Sequence, residues 1–145
     1  MTQPSGAGPW VKKVIGRLGD RAIHCIYERE VLPLRTRTVR LFGRKCRPEV
    51  IYTFLGYELK ARGRRLTCPD ETTVRYLKVF GELGMDQVRI PLDPTQTARH
   101  LDGLEAALTA LRDAVRQRFP AEPKKQEAAL RALYAWTRRQ LKSAP

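Results

Sequence analysis

A chain of 145 residues, 42% hydrophobic and 30% charged, is long enough to bury one core without staples and too apolar to read as a disordered tail. None of its apolar runs approaches the roughly eighteen residues of a membrane-spanning helix, which argues against that class. The formal net charge of +13 points to a polyanionic partner without naming any chemistry.

Residues 1–9 lack the basic start and apolar middle of a secretory signal and read as a flexible leader, so a cytoplasmic location is expected. Residues 10–145 read as a single α+β domain, with a basic, sheet-forming part at 10–92 and a helical part at 93–145. Trp10, Val11, Val14, Ile15 and Leu18 have helical spacing, weakened by Gly16 and ended by Gly19. Residues 22–27 are compact and rich in strand formers and are expected to form a strand. A short, basic, β-branched strand is expected at 36–42. A second, central strand is expected at 50–60, followed by a hairpin turn at Gly63 and a returning strand at 65–68.

Asp70 and Glu71 then open a helix whose apolar face is Tyr76, Leu77, Val79, Phe80 and Leu83, with Gly84 placed for a left-handed cap. A strand at 88–92 follows. Strand, helix and strand in that order suggest a right-handed βαβ crossover if both strands join one sheet. Asp93 and Pro94 mark the start of a long helix, and Leu101, Leu104, Leu108, Leu111 and Val115 form its stripe. Pro120 and Pro123 frame a turn into a last helix with Leu130, Leu133, Tyr134, Thr137 and Leu141 on one side. The expected fold is therefore α+β: a small mixed β-sheet with one crossover helix and a C-terminal antiparallel helical hairpin. The leucine stripe reads first as core and second as a dimer seam or partner groove; oligomeric state is left open.

Charge is unevenly distributed. Residues 1–65 hold fifteen Lys/Arg against five Asp/Glu, whereas residues 66–145 hold thirteen against ten. The densest run, Arg35, Arg37, Arg40, Arg44, Lys45 and Arg47, contains no acid, and the pattern resumes at Lys60, Arg62, Arg64 and Arg65. If the hairpin lies beside the basic strand, the two clusters merge into one phosphate-binding surface. Phe42 or Tyr57 would then be able to stack on bases. The plain alternative is a solvated strand face with basic loop tips. No glycine-rich phosphate loop, RNA-recognition aromatic pattern or zinc-finger spacing accompanies the charge.

Other candidate chemistry is sparser. Cys25, Cys46 and Cys68 form no close pair and are expected to be reduced; joined with His24 or His100 they are the raw material of a Cys3His zinc site, a reading their wide spacing disfavours. No metal and no cofactor is expected. His24 reads as a core histidine and His100 as an exposed one. Cys25 on a strand would point away from its neighbour His24, so no dyad is expected.

Glu58 and Lys60, two apart on a strand, share a face where a carboxylate can hold Mg²⁺ and a lysine can steady an attacking water. This pair resembles the acid-x-Lys half of the PD-(D/E)xK nuclease superfamily, and the elements over 64–92 resemble the β-β-α-β part of that fold. The resemblance implies metal-dependent nuclease activity. The chain departs from the pattern where the preceding metal-binding Asp is expected: only Glu49 stands near that place, with Glu28 or Glu30 as further acids. The leading expectation is a non-enzymatic protein that binds RNA or DNA through the ten basic residues. The runner-up is a regulatory adaptor for an acidic protein partner, and the third is a nuclease using Glu49, Glu58 and Lys60.

Overall fold

The computed structural model describes residues 7–43, 48–54, 56–61 and 63–143. Helix α1, Ala7–Leu18, buries Val11, Val14 and Ile15 and packs against the C-terminal helices. Gly19 ends it with φ +55° and leads through a tight turn at Gly19–Arg21. The next segment is helical: α2, Ile23–Ile26, runs directly into a wide helical turn at Tyr27–Val31. This corrects the strand expected at 22–27. Ile23, Ile26, Tyr27 and Val31 are all buried, and their spacing of three, one and four is that of one helix face. A short apolar run does not distinguish the two periods by itself, and the core behind it selected the helix.

Strand β1, Thr36–Arg40, pairs antiparallel with β5, Gln87–Pro91, with Val39 opposite Val88 and Thr38 opposite Arg89. The segment expected as one central strand at 50–60 is two: β2, Glu49–Thr53, and β3, Gly56–Ala61, joined antiparallel with Tyr52 opposite Tyr57. Gly56 makes the reversal at φ +136°, a backbone conformation that side chains disfavour. Strand β4, Arg64–Cys68, completes the meander after a turn at Gly63. The α+β class and the C-terminal helical hairpin hold, while the strands divide between a two-stranded sheet and a three-stranded sheet, both antiparallel. The βαβ crossover is not formed, because β4 and β5 lie in different sheets.

Helix α3, Glu71–Glu82, begins where expected, with the Asp70 carboxylate accepting a hydrogen bond from the Thr73 N–H at 2.7 Å. Its face of Val74, Tyr76, Leu77 and Phe80 is almost wholly inaccessible to solvent. Its last turn lies so close to β2 that a Cβ on Gly81 would meet Pro48 Cγ at 2.8 Å. Helix α4, Pro94–Arg118, starts at an Asp93 cap, and α5, Pro123–Ser143, returns alongside it. Leu101, Leu104, Leu108, Leu111 and Val115 from α4 and Leu133, Tyr134 and Leu141 from α5 all join the core cluster, so the stripe is core.

Polar ties fasten the helices. Glu82 on α3 accepts hydrogen bonds from Arg112 on α4 and, at 2.8 Å, from the Tyr134 hydroxyl on α5. Arg75 grips Glu105 with two guanidinium nitrogens, and Arg138 donates to the Leu83 carbonyl at 2.7 Å, closing the end of α3. Two buried tyrosines finish the edge of β5: the Tyr27 hydroxyl accepts from the Arg89 N–H at 3.0 Å, and the Tyr76 hydroxyl donates to the Arg89 carbonyl at 2.7 Å. No helix of the described residues is long and apolar enough to cross a membrane.

Candidate nucleic-acid interface

The helices cover one face of the strands and leave the other open. Along β1 and β5, Val39, Val88 and Ile90 turn inward, so alternation turns Thr38, Arg40, Gln87 and Arg89 outward, and all four are exposed. In the three-stranded sheet, Leu59 and Ala61 turn inward against α3, which places Glu58 and Lys60 on the outer face with Glu49 and Arg65.

The two sheets are not hydrogen-bonded to each other; side chains of the two approach each other near both ends of β1. At one end the Arg64 guanidinium lies over the Phe42 ring, 5.5 Å from its centroid, a cation–π arrangement. At the other, Arg37 is close enough to Cys68 to oppose the rise in its thiol pKa. Burial, with Asp70 adding to it, nevertheless pushes that thiol up to about 11. Side chains of the basic strand and of the hairpin thus approach each other.

Of the sequence-predicted residues, Arg35, Arg37, Arg40, Arg64 and Arg65 are exposed and Lys60 is half-buried. Arg44, Lys45, Arg47 and Arg62 lie outside the described residues. Arg65 is committed to Glu58 by an ion pair at 3.3 Å. Arg35, Arg37, Arg40, Lys60 and Arg64 make no ion pair among the described residues, and neither does Arg89. Arg89 escaped the sequence reading because it stands alone between Val88 and Ile90. The signal that finds it is the alternation itself: a single cation between two inward apolar residues must face out.

A groove of about 600 Å³ adjoins this face, where β5 meets the end of α5. Thr38, Gln87 and Arg89 from the open sheet line it together with Lys142. Further along the three-stranded sheet, the β2–β3 turn displays aromatic side chains. Tyr52 is 66% exposed and Phe54 fully so, and Tyr52 packs edge-on against Tyr57 at 5.4 Å.

The other candidates separate. Glu49 stands opposite Lys60 and diagonal to Glu58 on one face, but Glu58 is turned to Arg65, and no group of three or more His, Cys, Asp or Glu among the described residues is placed to hold a metal ion. Cys25 is on α2 and Cys68 on β4; Cys46 lies outside the described residues. Because α2 is helical, Cys25 Sγ does approach His24 Nε2, at 3.4 Å, which corrects the expectation that the two point apart. Burial lowers the His24 pKa and raises that of the Cys25 thiol. Both groups are driven toward their neutral forms, the reverse of a thiolate–imidazolium nucleophile. His24 also packs edge-on against Trp136 at 5.0 Å. His100 is mostly covered, its nearest acid Glu30 at 3.9 Å.

Fold and face together define an α+β protein with an open, basic, antiparallel strand surface. Comparison with protein-family models, curated proteins and solved structures finds no match.

Proposed function

We propose that this protein binds nucleic acid, RNA or DNA, through exposed cations around β1: Arg40 and Arg89 on its outer face, extended by Lys60 and Arg64, with Arg35 and Arg37 contacting the nucleic acid from the other side. The observation that carries the reading is the Arg64–Phe42 contact. It brings the second basic cluster to the end of the first, so charges about 25 residues apart in sequence act on one partner. Guanidinium groups without internal ion pairs keep their donors for phosphate oxygens. The role is binding rather than catalysis, since Glu58, the central acid of the nuclease reading, is neutralised by Arg65.

The test is salt-dependent binding. Each phosphate neutralised releases condensed counterions, so log affinity falls against log salt with a slope of about −0.7 to −0.9 per contact. Changing Arg40, Lys60, Arg64 and Arg89 together to Ala is expected to weaken binding and flatten the slope by roughly 3. Changing Arg116, Arg118, Lys124 and Lys125 removes equal charge at the far end of the helical hairpin, about 25 Å along α5 from the groove, and is expected to do much less. Equal losses in the two variants would refute the location. Absence of binding near physiological salt would refute the function and leave an acidic protein as the partner, for which exposed Tyr52 and Phe54 supply contact area.

A further inference from the structure

The groove at the junction of β5 and α5 does not look like a site for phosphates alone. Buried Tyr27, Met85, Val88 and Leu141 reach it only by their edges, whereas exposed Thr38 and Gln87 line it with neutral groups that both donate and accept hydrogen bonds. Two cations, Arg89 and Lys142, stand at its rim with one carboxylate, Asp86, which pairs with Lys142 at 3.5 Å. A surface that only grips a backbone has no use for neutral donors and acceptors, and a carboxylate beside it repels phosphate. An unstacked base offers an edge that such mixed donors and acceptors can read.

Resting on the nucleic-acid reading above, we propose that this groove receives a base turned out from a single strand, with its flanking phosphates on Arg89 and Arg40. The protein is therefore selective for single-stranded over double-stranded nucleic acid. Arg40 is placed for this role, because it stands directly across from Gln87 on the neighbouring strand, on the same outer face as Arg89. In a duplex the bases are stacked and paired, so a groove beside the strand surface reads nothing from it. A single strand presents both its phosphates and its free base edges.

The experiment compares fluorescein-labelled single strands of about 12 nucleotides, RNA and DNA, with duplexes of the same sequence, a length within the usual span of such sites. Wild-type protein is expected to favour the single strand by about tenfold or more. Thr38→Phe fills the groove from an exposed strand position without removing a charge. It is expected to reduce that preference to near unity while duplex affinity and its salt slope stay within about twofold. Gln87→Phe fills the same groove from β5 and is expected to reproduce the effect, which guards against a folding defect in either variant. A wild type that binds both forms equally, or a preference that survives both fillings, overturns the inference and leaves the basic-surface reading standing. Mononucleotides that bind as tightly as the labelled strand and are displaced by Thr38→Phe would make the groove a free-nucleotide site instead, also overturning it. If neither strand form binds, the underlying reading falls and takes this one with it.

Discussion

The edge of β5 is held by two hydroxyl groups, and removing one is a clean perturbation. In Tyr76→Phe the ring stays, so no cavity opens and almost no apolar surface is lost; the change is confined to the hydrogen bond to the Arg89 carbonyl. That carbonyl lies against a tyrosine with no solvent-accessible surface, so no water replaces the lost donor. An unsatisfied buried acceptor costs about 1–3 kcal/mol, a large share of a total stability on the order of 5–15 kcal/mol. At about 2–4 °C per kcal/mol for a chain of this size, the melting temperature should fall by roughly 2–12 °C. Tyr27→Phe, which strands the Arg89 N–H instead, should fall by a similar amount.

Tyr52→Phe is the control: its ring is 66% exposed, and its stability should stay within about 0.5 kcal/mol of wild type. There is also a pH signature. Burial holds the Tyr76 and Tyr27 pKa values above the ordinary tyrosine range. Their contribution is therefore complete below the unfolded value of about 10 and is lost as pH rises through the higher folded values. Alkaline destabilisation should be shallower in Tyr76→Phe than in wild type. Thermal unfolding followed by circular dichroism at pH 7 and 10.5 measures both effects. A Tyr76→Phe protein that melts with wild type at both pH values would refute the claim that the tyrosines hold this strand edge.

Leu108→Ala removes a buried α4 side chain and should destabilise by about 2–5 kcal/mol in chemical denaturation; an unchanged midpoint would contradict its place in the core. Two glycine substitutions should have opposite signs in the same assay. Gly16→Ala, with nothing within 4 Å of the new methyl, should stabilise by about 0.5–1 kcal/mol. Gly81→Ala, which drives a methyl against Pro48 Cγ, should destabilise by about 1–3 kcal/mol despite the better helix former. The Cys25 thiol, raised chiefly by burial, should alkylate more slowly than free cysteine at pH 8, with a pH–rate midpoint above the ordinary thiol value. Peptide-resolved mass spectrometry separates it from the other thiols, and alkylation at the rate of free cysteine would contradict the assignment.

The helical part of this fold was legible because its signals are local. Asp70 and Asp93 each bind a backbone N–H within three residues, and the leucine stripe of α4 repeats over four turns, long enough to fix its period. The errors fell where the deciding contacts are distant in sequence. Residues 22–27 became helical because α4 and α5 pack against them. Nothing near Thr36 announces that its partner is Pro91. The break of the 50–60 segment did have a local mark, Gly56, but its neighbours Tyr52 and Tyr57 are both good strand formers and concealed the reversal.

The same distinction governs how much of the candidate surface is legible in the sequence. A run of arginines in a strand is a cluster only on paper, since alternation sends Arg37 and Arg40 to opposite faces. The face is instead assembled across strands, Arg40 beside Gln87 and Thr38 beside Arg89, from residues fifty apart in the chain. Local charge density finds β1 but not Arg89 or Lys142, which enter from β5 and α5. Nor does it see that Arg65 pairs with Glu58 across β3 and β4. If the basic strand is a binding surface, it is one through the cations that its neighbours turn the same way, and that set exists only once the strands have met.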